Sequence, residues 1–288
     1  SVIFEEQEVE TGEIVLPARE GQRTRNVMLS NDYSIGGFYK IRVHAESSDG
    51  EHQVLEQGFI VKDIDVLQKG DFLTCGRDYF IKDGKIMPVV GMTYMAGDFS
   101  RYFLFLPNVS VWMDDFARMK QLGVNMIRTG VWTGWRQMMY VDGHFREEVL
   151  RALDAFIYIG ALYDIEIVFT FFAFTPPLFE GVNPYLDPRS VAAQKRFIAV
   201  VAERYKNVKR LHYDLINEPS LFDPKRAFQG PRTCGDEYER RRFAEWLEKR
   251  YGTIEALREA WEMPANLLAG FEDVKPPEPW EINHSPVF

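Results

Sequence analysis

The stretch Leu211–Phe222, LHYDLINEPSLF, decides the architecture of this chain and raises its main chemical question. A short apolar run ends in Asn217, Glu218 and Pro219, so an amide, a carboxylate and a residue that cannot continue a sheet ladder follow one another directly. A strand that carries a carboxylate to the edge of a core predicts a polar site at that edge. The segments before it identify the sheet to which this strand belongs.

Strand-like and helical segments alternate along the chain from about residue 86. The strand-like segments before LHYDLINEP are IMPVVGMTY from Ile86, VNMIRTG from Val124 and IEIVFTFFAF from Ile165. The segments between them carry apolar residues at helical spacing, and Gly123 stands where the first helix should end. The last helix begins with Asp187 as its cap and Pro188 at its first position. Its predicted buried stripe is Val191, Ile198, Val201 and Tyr205.

The repeat of a strand followed by a helix indicates an α/β fold with a parallel sheet. The units recur at intervals of roughly 35–45 residues, and their apolar strands are of the kind covered on both faces. Two architectures remain, a (β/α)8 TIM-type barrel and a doubly wound sheet. The segment VVGMTYMAGDF after the first strand lacks the G-x-G-x-x-G fingerprint of a doubly wound dinucleotide fold. We therefore predict the first four units of a barrel over residues 71–288, with a long excursion after the fourth strand over about 219–288, and keep the doubly wound sheet as the alternative.

Residues 1–70 have the pattern of an all-β domain. Apolar and polar residues alternate in GGFYKIRVHAES from Gly36, and HQVLEQGFIV from His52 follows the turn signal Asp49-Gly50. The segments GEIVLPA and NVMLS predict further strands upstream. We expect a small β-sandwich-like (immunoglobulin-like) domain here, complete or partial.

The composition excludes several classes of function. The chain has a net charge of −9, with 43 acidic against 34 basic residues, which argues against a nucleic-acid surface and favours a neutral ligand. Two cysteines and no histidine pair at metal-ligand spacing predict neither a disulfide framework nor a metal or other cofactor. No apolar run reaches the ~18 residues that cross a bilayer. The compartment stays open between the cytoplasm and, after removal of a leader, the periplasm or the exterior.

In a barrel, chemistry lies where strands end. The side chains expected there are Tyr94 after the first strand, Arg128 and Trp132 after the second, Phe174 after the third, and Asn217 and Glu218 after the fourth. Aromatic faces stack on sugar rings, and amides and arginine bond to hydroxyl groups. Trp132 and Phe174 equally fit a role in core packing, and Arg128 equally fits a pairing with an acid at the rim. Glu218 has the chemistry of a general acid if burial raises its pKa.

INEP at the end of a fourth strand, with NMIRTG at the end of the second, resembles the clan of retaining β-glycosidases built on (β/α)8 barrels. The resemblance implies that Glu218 is the acid/base and that Asn217 binds the sugar 2-hydroxyl. It also implies that Arg128 helps to hold the nucleophilic carboxylate ionised. No cofactor is implied, and the implied partner is a carbohydrate substrate.

KRYGTIEALREAW, Lys249–Trp261, is similar to the excursion after the fourth strand of family forty-two β-galactosidases. A β-sandwich before the barrel resembles the family-two β-galactosidases and β-mannosidases. These resemblances imply a β-galactosidase-like enzyme, with a β-mannanase or β-mannosidase of the same clan as the alternative. A non-catalytic carbohydrate-binding protein on a degenerate barrel is the alternative outside enzymes.

In that clan the nucleophile ends the seventh strand, which the remaining sequence does not supply. Roughly 70 residues follow Glu218, and four more units need roughly 100 or more. The resemblance therefore implies that the nucleophile is not in this chain and that the chain is an N-terminal portion. We expect it to be inactive alone and prone to associate through open edges, with the C-terminal part of the barrel or a second chain as its partner.

Overall fold

The computed structural model describes residues 1–16, 24–131, 137–173, 179–219 and 235–276 as a mixed α/β fold. The chain divides into two compact units. Unit one comprises Ser1–Thr129, Arg146–Phe169 and Tyr205–Tyr213. Unit two comprises Gly130–Phe145, Thr170–Arg204 and Asp214–Phe288.

The strands and helices follow the chain in a regular order. The strands are β1 (Val2–Phe4), β2 (Gln7–Glu10), β3 (Gly37–Glu46), β4 (His52–Val61), β5 (Thr74–Cys75), β6 (Phe80–Lys82), β7 (Lys85–Met87), β8 (Gly91–Thr93), β9 (Met126–Gly130), β10 (Met139–Val141), β11 (His144–Phe145), β12 (Glu166–Ala173) and β13 (Leu211–Asn217). The helices are α1 (Ile64–Gln68), α2 (Val109–Gln121), α3 (Glu147–Leu162), α4 (Pro188–Arg204), α5 (Glu237–Tyr251) and α6 (Ile254–Ala260), and a short 3-10 helix covers Phe271–Asp273.

The N-terminal part of unit one is a four-stranded sheet in the order β2-β1-β3-β4. The predicted hairpin is confirmed, because β3 and β4 pair in antiparallel register from Gly37↔Val61 to Glu46↔His52. On one face the Tyr39 ring stacks on Phe4 at 4.5 Å and on Phe59 at 5.1 Å between ring centroids. A second, facing sheet does not occur among residues 1–16 and 24–70, so the sandwich itself stays a prediction.

The two strands predicted upstream of this hairpin are wrong within the described residues. Residues 13–16 and 26–30 contain no strand, and β1 and β2 supply the partner strands instead. Met28 is 89% exposed, so its apolar segment has no surface to pack against. The Glu10 carboxylate accepts bonds from the Ser30 and Asn31 backbone N–H groups and from the Tyr33 hydroxyl. These bonds hold the segment as a loop.

Helices α2 and α3 bury the faces that the sequence predicts. Trp112, Phe116, Leu153 and Phe156 are fully buried, and the Phe156 ring packs edge-on against both Trp112 and Phe116. Gly123, at φ +80°, follows the end of α2 in the left-handed region that favours glycine. Helix α2 therefore ends where the glycine signal in the sequence stands.

Strands β8, β9, β12 and β13 form one sheet in the order β13-β12-β9-β8. β8 and β9 are parallel. Glu166 N–H donates to the Asn125 carbonyl, and Val131 N–H donates to the Thr170 carbonyl, so β9 and β12 also run in the same direction. The predicted first strand is shorter than expected, because Pro88 separates β7 from β8. β7 belongs instead to an antiparallel hairpin with β6. Proline removes the N–H that a continuous strand would need.

A buried carboxylate joins β12, β13 and the β6–β7 hairpin in unit one. Glu166 is fully buried, and its Oε1 lies 3.1 Å from Lys82 Nζ and 2.5 Å from Arg210 Nη1. Its Oε2 lies 2.8 Å from His212 Nε2. Burial raises the pKa of the Glu166 carboxyl, but the hydrogen bond from His212 and the charges of Lys82 and Arg210 outweigh burial and hold that pKa below its usual range.

We expect Glu166→Gln to lower the free energy of unfolding by about 3 kcal/mol, because it removes the carboxylate paired with buried Lys82 and one of the two carboxylates paired with Arg210. Urea unfolding at pH 7 measures this loss, and Glu8→Gln, at an exposed strand position, is the matched control. Because the pKa of Glu166 is lowered on folding, its contribution is complete above about pH 4.3 and is lost as the pH falls further. The difference in unfolding free energy between wild type and Glu166→Gln should therefore decrease in acid. A difference that is small at pH 7, or that does not change with pH, would contradict this electrostatic explanation.

Candidate functional site

The carboxyl end of β13 carries the two residues on which the sequence argument rests. Asn217 is the last residue of the strand and is half-buried, and the exposed Glu218 follows it at φ +49°. A glutamate in the left-handed region is held there against its own backbone preference, at a cost of about 1–2 kcal/mol. Such strain is concentrated at active sites and ligand clamps. Glu218 shares a positive φ with seven other described non-glycine residues, so the strain is consistent with the proposed site but does not identify it.

Asp214 is the other carboxylate on β13, and it lies deeper in the sheet. Its Oδ2 accepts a hydrogen bond of 3.0 Å from the Thr170 hydroxyl of β12, so it is a bonded, half-buried acid. Asp214 precedes Glu218 by four residues, which is roughly 13 Å along a strand. That separation excludes Asp214 as the second carboxylate of a retaining pair, which lies about 5–5.5 Å from the first.

The loop after β12 is organised by Asn183, which the sequence argument did not identify. Asn183 is 2% exposed, and its Oδ1 accepts from the Tyr185 and Leu186 N–H groups at 2.9 Å each. Its Nδ2 donates to Oδ2 of Asp236 at 2.9 Å. Asn183 thereby connects the loop after the third strand of the sheet to the start of α5. In the sequence, Asn183 is recognisable only as an asparagine before a proline in a turn-like segment. That pattern does not identify Asp236, 53 residues away, as its hydrogen-bond partner.

Asp187 closes the same loop and begins α4. Its Oδ1 accepts from Arg189 N–H at 2.9 Å, and its Oδ2 accepts from Val182 N–H at 2.9 Å. The hydrogen bond from the Arg189 side chain, against the effect of burial, holds the pKa of Asp187 well below its usual range. The predicted Asp-Pro start of this helix is confirmed, with Pro188 as its first residue.

Arg128 lies on β9 in unit one and is half-buried. It pairs in register with Thr93 of β8, and its carbonyl accepts from Tyr94 N–H at 2.8 Å. Glu166 bonds to the carbonyl before Met126, so by strand alternation Met126, Arg128 and Glu166 share one face of the sheet. Arg128 is therefore on the same face of the sheet as Glu166, and its role toward a nucleophile stays a prediction.

Tyr94 is a core residue, and its predicted contact with a sugar finds no support in the structure. It is 6% exposed, and its ring lies among Phe103, Phe116 and Phe156 with centroid distances of 5.5–6.0 Å. Its hydroxyl donates to Oδ2 of Asp115 on α2 at 2.9 Å. Burial, followed by the Asp115 charge, raises the pKa of the hydroxyl. The side chain points to the helices, because the residue after a short β8 continues the face that packs on α2 and α3.

Two of the predicted contacts, Trp132 and Phe174, lie outside the described residues. Within the described ranges, no group of three or more histidine, cysteine, aspartate or glutamate side chains could hold a metal ion. In the same ranges, none of the helices has the length and apolar character needed to cross a membrane.

The strain at Glu218 predicts that glycine is better tolerated than alanine at position 218, whereas the reverse holds at position 217. Glycine accepts a left-handed backbone and alanine does not, so Glu218→Gly should be more stable than Glu218→Ala by about 1 kcal/mol. At Asn217, which ends a regular strand, Asn217→Gly should be less stable than Asn217→Ala by about 0.5–1 kcal/mol. Chemical unfolding of the four variants measures both differences. The same sign at both positions would contradict a strained Glu218.

Comparison with known proteins adds a family likeness to this geometry. The glycoside hydrolase family forty-two model, described as Beta-galactosidase, matches residues 187–287. The Beta-galactosidase BgaB of Geobacillus sp. (strain Y412MC61) is 28% identical over 177 residues, covering 52% of this chain and 24% of that protein. The Beta-galactosidase bgaB of Geobacillus kaustophilus gives the same values. This chain thus spans 24% of the length of these curated relatives.

Among solved structures, the endo-1,4-beta-mannanase of Rhizomucor miehei is similar at 16% identity and a TM-score of 0.43, covering 66% of this chain and 58% of that one. The beta-mannanase of the blue mussel Mytilus edulis is similar at 15% identity and a TM-score of 0.42, covering 66% and 60%. At these scores the likeness carries no information about the site. The resemblance to the family forty-two β-galactosidases that the sequence predicted is confirmed over residues 187–287.

Proposed function

We propose that this chain is the N-terminal portion of a retaining β-glycosidase of β-galactosidase type, with Glu218 as its acid/base. One observation carries the proposal: an Asn-Glu-Pro sequence, strained at its glutamate, ends the fourth strand of a parallel sheet. The likeness of residues 187–287 to the β-galactosidase family supports galactose as the sugar.

The sheet is proposed to be the first half of a (β/α)8 barrel. Its strands follow one another in sequence order, β8, β9, β12, β13, whereas a doubly wound sheet reverses its order at a switch point. Tyr213 and Leu215, 40% and 61% exposed, lie on the face of β13 that corresponds to buried Phe169 and Phe171 of β12. An apolar face without its helix layer supports a sheet that continues beyond β13.

The N-terminal sheet is proposed to be one layer of the predicted β-sandwich-like domain. Val43 and Leu55 face each other across β3 and β4, and both are exposed. They lie on the same strand face as the stacked rings of Tyr39 and Phe59. An apolar face that continues beyond its own aromatic cluster supports a further covering layer.

The chemistry follows from two carboxylates with different tasks. Protonated Glu218 donates its proton to the glycosidic oxygen as a carboxylate from outside this chain attacks the anomeric carbon, forming a glycosyl-enzyme and releasing the first alcohol. Ionised Glu218 then takes a proton from water, which attacks the anomeric carbon and frees the nucleophile with net retention of configuration. Asn217 would bond the 2-hydroxyl and Arg128 would favour the ionised nucleophile, contacts that strengthen in the transition state.

In the complete enzyme, Glu218→Gln should reduce kcat/KM for β-galactosides with poor leaving groups by about 10²–10⁴-fold, because their departing oxygen needs the proton. Aryl β-galactosides with acidic phenols need little protonation and should lose much less in the glycosylation step. A series of aryl leaving groups measures this dependence, with Glu46→Gln as the control at an exposed position of β3. Equal losses for good and poor leaving groups would remove Glu218 from the acid role.

We expect the 288-residue chain alone to hydrolyse no aryl β-galactoside above background, because the proposed nucleophile lies outside this chain and retention requires two carboxylates. Release of nitrophenol by the purified chain measures this. Hydrolysis that disappears in Glu218→Gln would show that the chain, or an assembly of its copies, supplies its own nucleophile. Sugar binding by the complete protein without any hydrolysis would instead favour a carbohydrate-binding role.

A further inference from the structure

Two segments of unit two are tied together by one side-chain pair. The first is the loop 179–187, which follows β12, and the second is the turn at Gly235 and Asp236 that starts α5. Asn183 Nδ2 donates to Asp236 Oδ2 at 2.9 Å, and this pair is called the latch below. Asn183 is 2% exposed, so a failure to bond there would leave a buried amide unsatisfied.

Each partner in the latch has its remaining oxygen committed elsewhere. Asn183 Oδ1 accepts from the Tyr185 and Leu186 N–H groups, which fixes its amide so that Nδ2 faces Asp236. Asp236 Oδ1 accepts from Glu239 N–H at 3.0 Å and caps α5, which leaves Oδ2 for Asn183. The pair is thus directional: one side must donate and the other must accept.

The loop on the Asn183 side is itself rigidly held. Asp187 bonds Val182 N–H, and Gln194 of α4 donates to the Pro184 carbonyl at 2.6 Å. Gly181 has no room for a side chain, because an added Cβ would lie 2.1 Å from Ser190 Oγ. A loop braced in this way can serve as the fixed side of the latch.

On the other side, the latch anchors the start of α5, where Gly235 directly precedes the latched Asp236. We propose that Asn183 is a positioning residue: it fixes the loop 179–187 against the start of α5, so that this loop presents a substrate-contacting surface. This inference rests on the proposed glycosidase function.

The side chains on the braced loop suit the rim of a sugar site. Tyr185 and Val182, in the loop 179–187, are both exposed. An aromatic ring and an aliphatic side chain offer the flat apolar surface on which sugar C–H faces pack. Misalignment of such a surface weakens its contact with the bound sugar, which raises KM with little change in kcat.

The test exploits the direction of the bond. In Asn183→Asp two carboxylates face each other, and in Asp236→Asn two amide groups do, so each single variant breaks the latch. In the double variant the carboxylate at 183 accepts from the amide at 236, while both oxygens that bond backbone N–H groups are retained. Asn207→Asp, at an exposed position, controls for the added charge.

On the 288-residue chain we expect each single variant to lower the Tm by about 4 °C or more and the double variant to lie within about 2 °C of wild type. Amide hydrogen exchange should quicken at Tyr185, Leu186 and Glu239 in the single variants and return to wild-type rates in the double variant. Additive losses, with the double variant worse than either single variant, would overturn the latch.

In the complete enzyme we expect the single variants to raise KM for a β-galactoside about tenfold with kcat changed less than about threefold, and the double variant to restore KM. A KM that stays at the wild-type value in both single variants would overturn the positioning role.

The latch and the glycosidase mechanism can be contradicted independently of each other. Unchanged rates in Glu218→Gln would overturn the glycosidase mechanism, but the Tm values of the single and double variants would still test the latch. Additive Tm losses would overturn the latch and leave the role of Glu218 unaffected.

Discussion

A parallel strand has to be covered on both of its faces, and this constraint governs how the chain is built. β12 satisfies it: Phe169 and Phe171 are fully buried on one face, and Glu166 and Thr170 are buried on the other. The strands at the two edges of the sheet do not. β8 is exposed along its whole length, and β13 exposes Leu215. The middle of this sheet is therefore covered on both faces, whereas its edge strands β8 and β13 are left partly exposed.

The constraint also explains why a polar face can exist inside such a sheet. A buried carboxylate is tolerated only with counter-charges and hydrogen bonds, and Glu166 has Lys82, Arg210 and His212 for that purpose. These contacts lie at the amino ends of β12 and β13, whereas Asn217 and Glu218 stand at the carboxyl end of β13. Both carboxylate oxygens of Glu166 are committed to these contacts, so we assign this cluster to stabilising the sheet, whereas the proposed chemistry lies at the other end.

The sequence was most informative where one local rule decides the outcome. The Asp187-Pro188 helix start and the position of Glu218 at a strand end depend on caps and on an apolar run, and both are as predicted. Features decided by distant partners were missed. Glu166 was given no role in the predicted apolar strand IEIVFTFFAF, because its cations come from segments up to 84 residues away (166 minus 82).

The buried face of α4 shows the same limit on a smaller scale. The predicted stripe contained Val191 and Ile198, which are only half-buried, whereas Ser190, Ala193 and Phe197 face the core. Phe197 stacks on Phe145 of β11 at 4.2 Å between ring centroids, and that contact sets the rotation of the helix. Small residues such as Ser190 and Ala193 then face inward because the neighbouring backbone lies close. Hydrophobicity alone does not report such close approach.

The exposure of Glu218 has a consequence for the proposed chemistry. A general acid needs a pKa near the working pH, and burial is the usual means of raising the pKa of a carboxyl group. In this chain Glu218 is exposed while its backbone is already strained at φ +49°. The backbone at Glu218 is therefore fixed, whereas burial of its side chain would be supplied by the rest of the proposed barrel. The acid role proposed for Glu218 would then depend on closure of that barrel.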